Sequence, residues 1–391
     1  MIELDHEIDK NTPNAVIKVL GVGGAGCNTV NSMMTKDYHG IEFIVANTDA
    51  QALAQSSAHH KIQIGVKSTK GLGAGANPDI GKKAAEEDLD KILEIIGSAD
   101  IVFITAGMGG GTGSGAVPVI ARALKELGIL TIAVITKPFV FEGKRRERIA
   151  LDAIESIKKE VDTLIIIPNQ KLLELVDKKV SMLNAFAMIN DVLNQFVKSI
   201  ADIITKNGYI NVDFADVHSI LHNQGLAVMG TGIAAGEERA LKAAINAISS
   251  PLLENMQIKG AQSVLINVSG SSNLGIHEIH EAASLIYQEA DQQANIILGS
   301  VIDDSLQDNI IITVIATGFS CAKSIQPALN VAPQEEAPAP KVEQKPVVRE
   351  SSVFVKDAWE VPAAEQSVAG MVDDLDVPAF LRNNKNVTDV Q

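Results

Sequence analysis

The residues best able to do chemistry lie in GMGGGTGSG, residues 107–115. Glycines lack a Cβ, so several backbone N–H groups can close around one anion, and Thr112 and Ser114 add hydroxyl donors. The apolar run Ile101–Ile104 precedes this loop. A helical pattern over Ala116–Leu127 follows it, with Val117, Ile120, Ala121 and Leu124 on one side. Strand, glycine loop and helix N-terminus together make a phosphate site, because the helix dipole adds positive charge where the amides point. A second such turn is GVGGAGCN, where Gly21, Gly23 and Gly26 fit G-x-G-x-x-G. A third glycine loop, Gly71, Gly73 and Gly75, runs through Asn77 and Pro78 into another helix start near Asp79.

Carboxylates supply the other chemistry. Asp213 and Asp216 stand with Asn211 in NVDFAD, where they either cap the next helix or orient water or a cation near a phosphate. Asp49 lies where a dinucleotide enzyme keeps its ribose acid, which leaves hydride transfer open as a rival reading. Glu142 precedes the basic cluster Arg145, Arg146 and Arg148 at the end of an apolar strand, beside the other loops. No G-x-x-x-x-G-K-[ST] occurs, so backbone amides rather than a P-loop lysine would hold the phosphates. His218 and His222 have no third ligand partner, and His277 and His280 lack the H-E-x-x-H spacing; both pairs read as structural.

Elements that position these groups alternate along the first half. Strands are predicted at Ala15–Val22, Ile41–Ala46, Ile129–Thr136 and Val161–Ile167, with a helix over Asn28–Met34 and Glu86, Glu87 and Asp88 on the exposed side of the helix from Asp79. Parallel strands need such crossovers, which stack the glycine loops on one sheet edge. Phe186, Ile189, Leu193, Phe196, Ile200 and Ile204 predict one long helix over Leu183–Thr205. Beyond it, strands at Ser263–Val268, Ile296–Ile302 and Asn309–Ala316 with helices at Gly236–Ile248 and Ile276–Ala290 suggest an α+β unit.

The 391-residue chain has room for two domains and a tail, and its 46% hydrophobic content supports a sizeable core. A net charge of −15 argues against a nucleic-acid binder. Cys27 and Cys321 suit a reducing compartment, and no long apolar run spans a membrane, so a cytoplasmic protein is expected. Seven of the 13 prolines lie beyond residue 326, which marks a disordered linker before the apolar DVPAFLR motif. The expected organisation is a flexible start (1–14), a nucleotide domain (15–181), a central helix and acidic loop (182–222), an α+β domain (223–320), a linker (321–372) and a partner-binding peptide (373–391).

GMGGGTGSG, GVGGAGCN, NTDAQAL, GAGANP, KPFVFEGKRR, IPNQKLL and NVDFADV resemble, in content and in order, loops of the tubulin/FtsZ GTPase family. DVPAFLR resembles the C-terminal partner-binding peptide of its bacterial cell-division members. The resemblance runs from about Ala15 to Gly318 and returns at the tail. Ala25 and Cys27 stand where many relatives have glycine, Ser114 replaces a common Thr, Gln170 a common Asp, and the linker is short.

The resemblance implies a Rossmann-like parallel-sheet GTPase domain, a long central helix, a C-terminal α+β domain and a disordered tail. It implies GTP phosphates held by Gly23, Gly24, Ala25, Gly26, Cys27 and Asn28, and by Gly107, Gly110, Gly111, Thr112 and Gly113. It implies Glu142 and Arg146 at the ribose and phosphate side, and Asn169, Phe186, Asn190 and Asp191 around guanine and ribose. Asn211, Asp213 and Asp216 would promote hydrolysis on a neighbouring subunit, with Mg²⁺ as cofactor. Implied partners are further copies in a head-to-tail filament at the division ring. Through Asp373–Asn384 it also implies membrane tethers and regulators of the FtsA, ZipA and MinC type. The rivals left standing are an NAD-dependent oxidoreductase, a non-hydrolysing adaptor and a tubulin-like plasmid or cell-shape filament protein.

Overall fold

In the computed structural model the described residues are 15–36, 38, 40–174, 180–206, 208–250 and 258–319. The N-terminal stretch, the linker and the DVPAFLR peptide lie outside them.

Strands β1 (Ile17–Val22), β2 (Ile41–Asn47), β3 (His60–Gln63), β4 (Ile101–Gly107), β5 (Leu130–Lys137) and β6 (Thr163–Pro168) form a parallel sheet in the order β3-β2-β1-β4-β5-β6. Their near-continuous aliphatic runs follow from burial on both faces. In β4, Ile101 and Phe103 face one core, while Val102, Ile104 and Ala106 face the other. The first face is covered by α1 (Gly23–Met33) and by α9 (Met182–Thr205). The second is covered by α4 (Pro78–Glu87), α5 (Leu89–Ile96), α6 (Thr112–Glu126) and α7 (Lys144–Glu160). Short helices α2 (Ala50–Ala54), α3 (Val66–Thr69) and α8 (Asn169–Glu174) fill the connections.

The sheet continues without a break into the second half. Strand β7 (Gly225–Ala235) pairs in parallel with β6 over Thr163↔Gly225 to Ile165↔Ala227, and then antiparallel with β10 (Asn309–Thr317). β8 (Ser263–Gly270) follows antiparallel to β10, and β9 (Asn295–Ile302) parallel to β8. Helices α11 (Arg239–Ile248) and α12 (Ile276–Glu289) cover one face over a third core. Helix α9 covers the other, its Phe196, Val197 and Ile200 sharing a core with Leu265, Val301 and Ile315. Helix α10 (Phe214–Leu221) follows α9.

Several boundaries differ from the sequence expectation. Helix α1 begins at Gly23 rather than Asn28, and α6 at Thr112 rather than Ala116. In both, the glycines expected as loop form the first helical turn. Strand β7 has no counterpart in the sequence reading because Gly230 and Gly232 interrupt its apolar pattern. A Cβ on them would lie 2.0 Å from Ala247 O and 1.9 Å from Ala243 O, so they exist to let α11 lie against the strand. Asp88, expected on an exposed face, is buried. Its Oδ2 accepts the Gly65 N–H at 2.8 Å and its Oδ1 the Lys91 ammonium at 2.5 Å.

Candidate nucleotide-binding site

The parallel strands β1 and β4 are neighbours, so the helices that follow them start side by side. Gly23 opens α1 with φ of +73°, a conformation that favours glycine, and a Cβ there would lie 3.1 Å from Gly113 N on α6. Two helix N-termini thus converge on one concave cavity of about 360 Å³, within the usual range for small-molecule sites. Its floor is Gly23, Gly24, Ala25, Asn28, Gly107, Gly110, Gly111, Thr112 and Gly113. Gly24 and Gly110 have no heavy atom within 4 Å of an added Cβ, so their backbones face open space. Amides and helix dipoles of this kind are the chemistry that suits an anion.

The loop between β4 and α6 is stapled internally. Ser114, expected as a donor to ligand, is buried, and its Oγ accepts the Gly109 N–H at 2.9 Å. Met108 N–H donates to Thr136 O at 2.9 Å. On the outer side, Gly111 meets the third glycine loop, where a Cβ would lie 2.8 Å from Ala74 Cβ and from Asn77 N. That third loop therefore supports the phosphate loop from behind.

The wall contains Glu142, Arg146, Asn169, Phe186, Ile189, Asn190 and Leu193. Glu142 accepts the Phe139 N–H through Oε1 at 3.0 Å and Arg146 Nη1 through Oε2 at 2.6 Å, so its carboxylate is fixed. Phe186 stands edge-on to Phe139, centroids 5.5 Å apart, which leaves an aromatic surface for a flat base. Asn190 Oδ1 accepts the Thr29 hydroxyl at 3.0 Å and ties α9 to α1. Asn169 is 5% exposed, and its Oδ1 has no hydrogen-bond partner, so it offers a buried acceptor to a ligand N–H or O–H.

Gly26, Cys27 and Asp191 do not line the cavity. Gly26 backs onto β4, where a Cβ would lie 2.5 Å from Thr105 O. The Cys27 side chain is buried in the core, and burial pushes its thiol up to about 11. Asp191, expected at the base, is half-exposed and pairs with Lys36 Nζ at 2.7 Å. Asp49, the candidate ribose acid, caps α2 by accepting the Gln51 and Ala52 N–H groups at 2.9 and 3.2 Å. Thr48 had no signal in the sequence, yet its Oγ1 lies 2.7 Å from Thr112 Oγ1.

Asn211, Asp213 and Asp216 also lie outside the cavity lining. Asp213 Oδ1 caps α10 by accepting the Asp216 N–H at 2.8 Å, and Asn211 Oδ1 accepts the Gly208 N–H at 2.7 Å. The last residue of α9 in the cavity is Leu193, and the helix runs on to Thr205. Those twelve further residues carry the chain about 18 Å away at ~1.5 Å per residue. The loop then rests on β9, with Ile210 N–H donating to Ser300 Oγ at 2.9 Å.

Residues 16–177 match the Tubulin/FtsZ family, GTPase domain, and residues 225–320 the FtsZ family, C-terminal domain. Among solved structures, an empty FtsZ dimer from M. jannaschii shares 42% identity, with 79% of this chain and 89% of that one covered and a TM-score of 0.74. A mutant of the same FtsZ shares 43%, over 78% and 92%, also with a TM-score of 0.74. The GDP-bound CetZ1 monomer from Haloferax volcanii, at 21% identity over 78% and 95% with a TM-score of 0.69, shows the same fold. With a family match on each half of one continuous sheet and the glycine-lined cavity at its edge, the chain belongs to the FtsZ family of tubulin-like, filament-forming GTPases.

Proposed function

We propose that this chain binds GTP in the cavity between α1 and α6 and hydrolyses it only when a second copy, stacked head to tail, brings Asn211, Asp213 and Asp216 to the γ-phosphate. The observation that carries the reading is the separation along α9: one end of this helix lines the cavity and the other leads into the acidic loop. A subunit that cannot reach its own phosphate needs a neighbour, and such a heterologous contact propagates a filament. The amides at Gly24, Gly110 and Gly113 would hold the phosphates, Asn169 and Phe186 the base, and Glu142 with Arg146 the ribose side. An Asp213 or Asp216 carboxylate would orient the attacking water and accept its proton.

Magnesium fits this cavity as an ion that arrives on the nucleotide. The one carboxylate in the lining, Glu142, already holds Phe139 N–H and Arg146, and no metal-binding cluster occurs among the described residues. Mg²⁺ keeps waters and prefers phosphate oxygens, so Asn28 in the cavity lining would help hold it from the protein side. Bound there, it would neutralise charge on the phosphates.

The filament would serve bacterial cytokinesis as a ring at mid-cell. Residues 15–181, 182–222 and 223–320 would act as nucleotide domain, spine and α+β domain. Asp373–Asn384 would recruit tethers and regulators of the FtsA, ZipA and MinC type, and the DVPAFLR motif is what favours division over a plasmid or cell-shape role. The test is turnover against protein concentration. Specific activity should rise with concentration, and Asp213→Ala or Asp216→Ala should keep GTP binding while losing most turnover. Constant specific activity down to high dilution, or a variant that no longer binds GTP, would refute the shared site.

A further inference from the structure

We propose that Thr48 is a positioning residue of the phosphate site: its buried hydroxyl donates to Thr112 and so turns the Thr112 hydrogen into the cavity toward a phosphate oxygen. The proposal rests on the reading that phosphates occupy this cavity.

Hydrogen-bond counting carries the argument. Thr48 is fully buried, and Thr112 is nine-tenths buried but lines the cavity. Their Oγ1 atoms lie 2.7 Å apart, and among the described residues each hydroxyl has the other as its side-chain hydrogen-bond partner. A hydroxyl carries one hydrogen, so only one of the two can donate in this pair. If Thr112 donated, the Thr48 hydrogen would be left buried with no acceptor, which costs more than an unused lone pair. If Thr48 donates, both hydrogens are used once a ligand oxygen enters. The buried partner therefore sets the direction of the exposed one. A hydroxyl that is itself a hydrogen-bond acceptor is also the better donor, because successive bonds polarise one another.

The backbone of Thr48 is anchored just as firmly. Its carbonyl accepts the Gly73 N–H at 3.2 Å. The residue therefore joins the third glycine loop to the first turn of α6. This gives a hydroxyl a use at a position outside the cavity lining.

The experiment is a double-mutant cycle on GTP affinity, measured by equilibrium dialysis of radiolabelled GTP at concentrations below assembly. Thr48→Val keeps the shape and removes the hydroxyl; it should weaken GTP binding about tenfold, the scale of one charge-assisted hydrogen bond. Thr48→Ser restores the hydroxyl and should bind within about twofold of wild type. Thr112→Val should weaken binding, and adding Thr48→Val to it should weaken it no further. Should Thr48→Val fail to fold, Thr48→Ala removes the same hydroxyl without adding bulk and takes its place. Additive losses in the double variant, a serine variant as weak as valine, or a valine variant as tight as wild type would each overturn the assignment. A wild-type chain that binds no GTP would refute the cavity reading and this proposal with it. Tight wild-type binding with additive losses would refute the proposal alone.

Discussion

Helix α4 lies on α6 with no side chain between them at two points, and Gly81→Ala probes one of them. An alanine Cβ at Gly81 would lie 2.2 Å from Gly111 O, 2.9 Å from Gly111 C and 3.1 Å from Thr112 Cα. Ordinary contact begins at 3.4 Å, so the shortfall is 3.4 − 2.2 = 1.2 Å and all three neighbours are backbone. The two helices must separate by about that much. Helix propensity alone would make Ala better than Gly by about 1 kcal/mol, while forcing a methyl into packed structure costs about 1–3 kcal/mol. Backbone cannot move aside as a side-chain tip can, so the upper end of that range applies and the net destabilisation is about 2 kcal/mol. The functional effect is larger, because Gly111 and Thr112 head the helix that floors the cavity, and misplacement by about 1 Å can cost on the order of 100-fold in rate. The expected result is a variant that melts a few degrees low yet loses most GTP turnover and about tenfold in GTP affinity. Gly115→Ala places a Cβ 2.0 Å from Pro78 O across the same contact, so the double variant should lose less than the sum of the singles. Calorimetry and GTP binding on the same samples decide the matter. A folded Gly81→Ala protein with wild-type affinity and turnover would show that the phosphate loop does not depend on this contact.

Two further predictions concern stability. Asp162 is 2% exposed and accepts Thr131 N–H at 2.9 Å, His222 Nδ1 at 2.8 Å and Asn223 N–H at 3.3 Å. Asp162→Ala should destabilise the fold by about 3 kcal/mol in urea unfolding, and a loss below about 1 kcal/mol would show those donors find other partners. Acid should weaken the protein through Asp88 and Glu278. Burial alone would raise Asp88, but Lys91 and the Gly65 N–H outweigh it, and the Arg239 guanidinium holds Glu278 low. Depressed folded values mean their stabilisation is complete above the unfolded values of 3.8 and 4.5 and is lost as pH falls through the folded ones. Unfolding free energy should therefore drop between about pH 5 and pH 2, and less steeply in Glu278→Gln; an unchanged slope in that variant would count against the pair.

How far the sequence could be read depended on what each residue was selected to do. Gly107–Gly115 was legible because a glycine run between a strand and a helix is a pattern in itself, although the structure shows that protein neighbours require most of them: a Cβ on Gly111 would meet Ala74 and one on Gly115 would meet Pro78 O. The same glycines hid the first turns of α1 and α6, since a poor helix former reads as loop. Strand β7 was hidden for a related reason: Gly230 and Gly232 serve the helix packed on them and erase the strand's own pattern. Asp88 sits in an acidic run that reads as solvated, and only the fold brings Gly65 N–H to it. Asp191 and Cys27 occupy the motif positions expected of them while their side chains turn to Lys36 and to the core. Thr48 is one threonine among many, and its partner is 64 residues away.

The acidic loop, proposed above as the hydrolytic half of a shared site, is held by both halves of the sheet. Helix α10, which Asp213 caps, follows α9 through a short connection, and a helix tethered only there would swing. Its other end is fixed on both halves of the sheet. The Thr163 hydroxyl at the start of β6 donates to Leu221 O, and the Thr317 hydroxyl at the end of β10 donates to Ile220 O at 2.9 Å. His222 and Asn223 then bond Asp162 in the residue before β6. β6 runs from this grip to Asn169 in the cavity wall, so one strand has the acid-bearing helix at its start and the nucleotide wall at its end. A rotation of the second half relative to the first would have to break the Thr163 or the Thr317 bond, each of which leaves a buried hydroxyl unpaired. The acids are therefore presented at a fixed distance from the subunit's own cavity, and in the proposed filament that rigidity would let a stacked second copy find them in the same place each time.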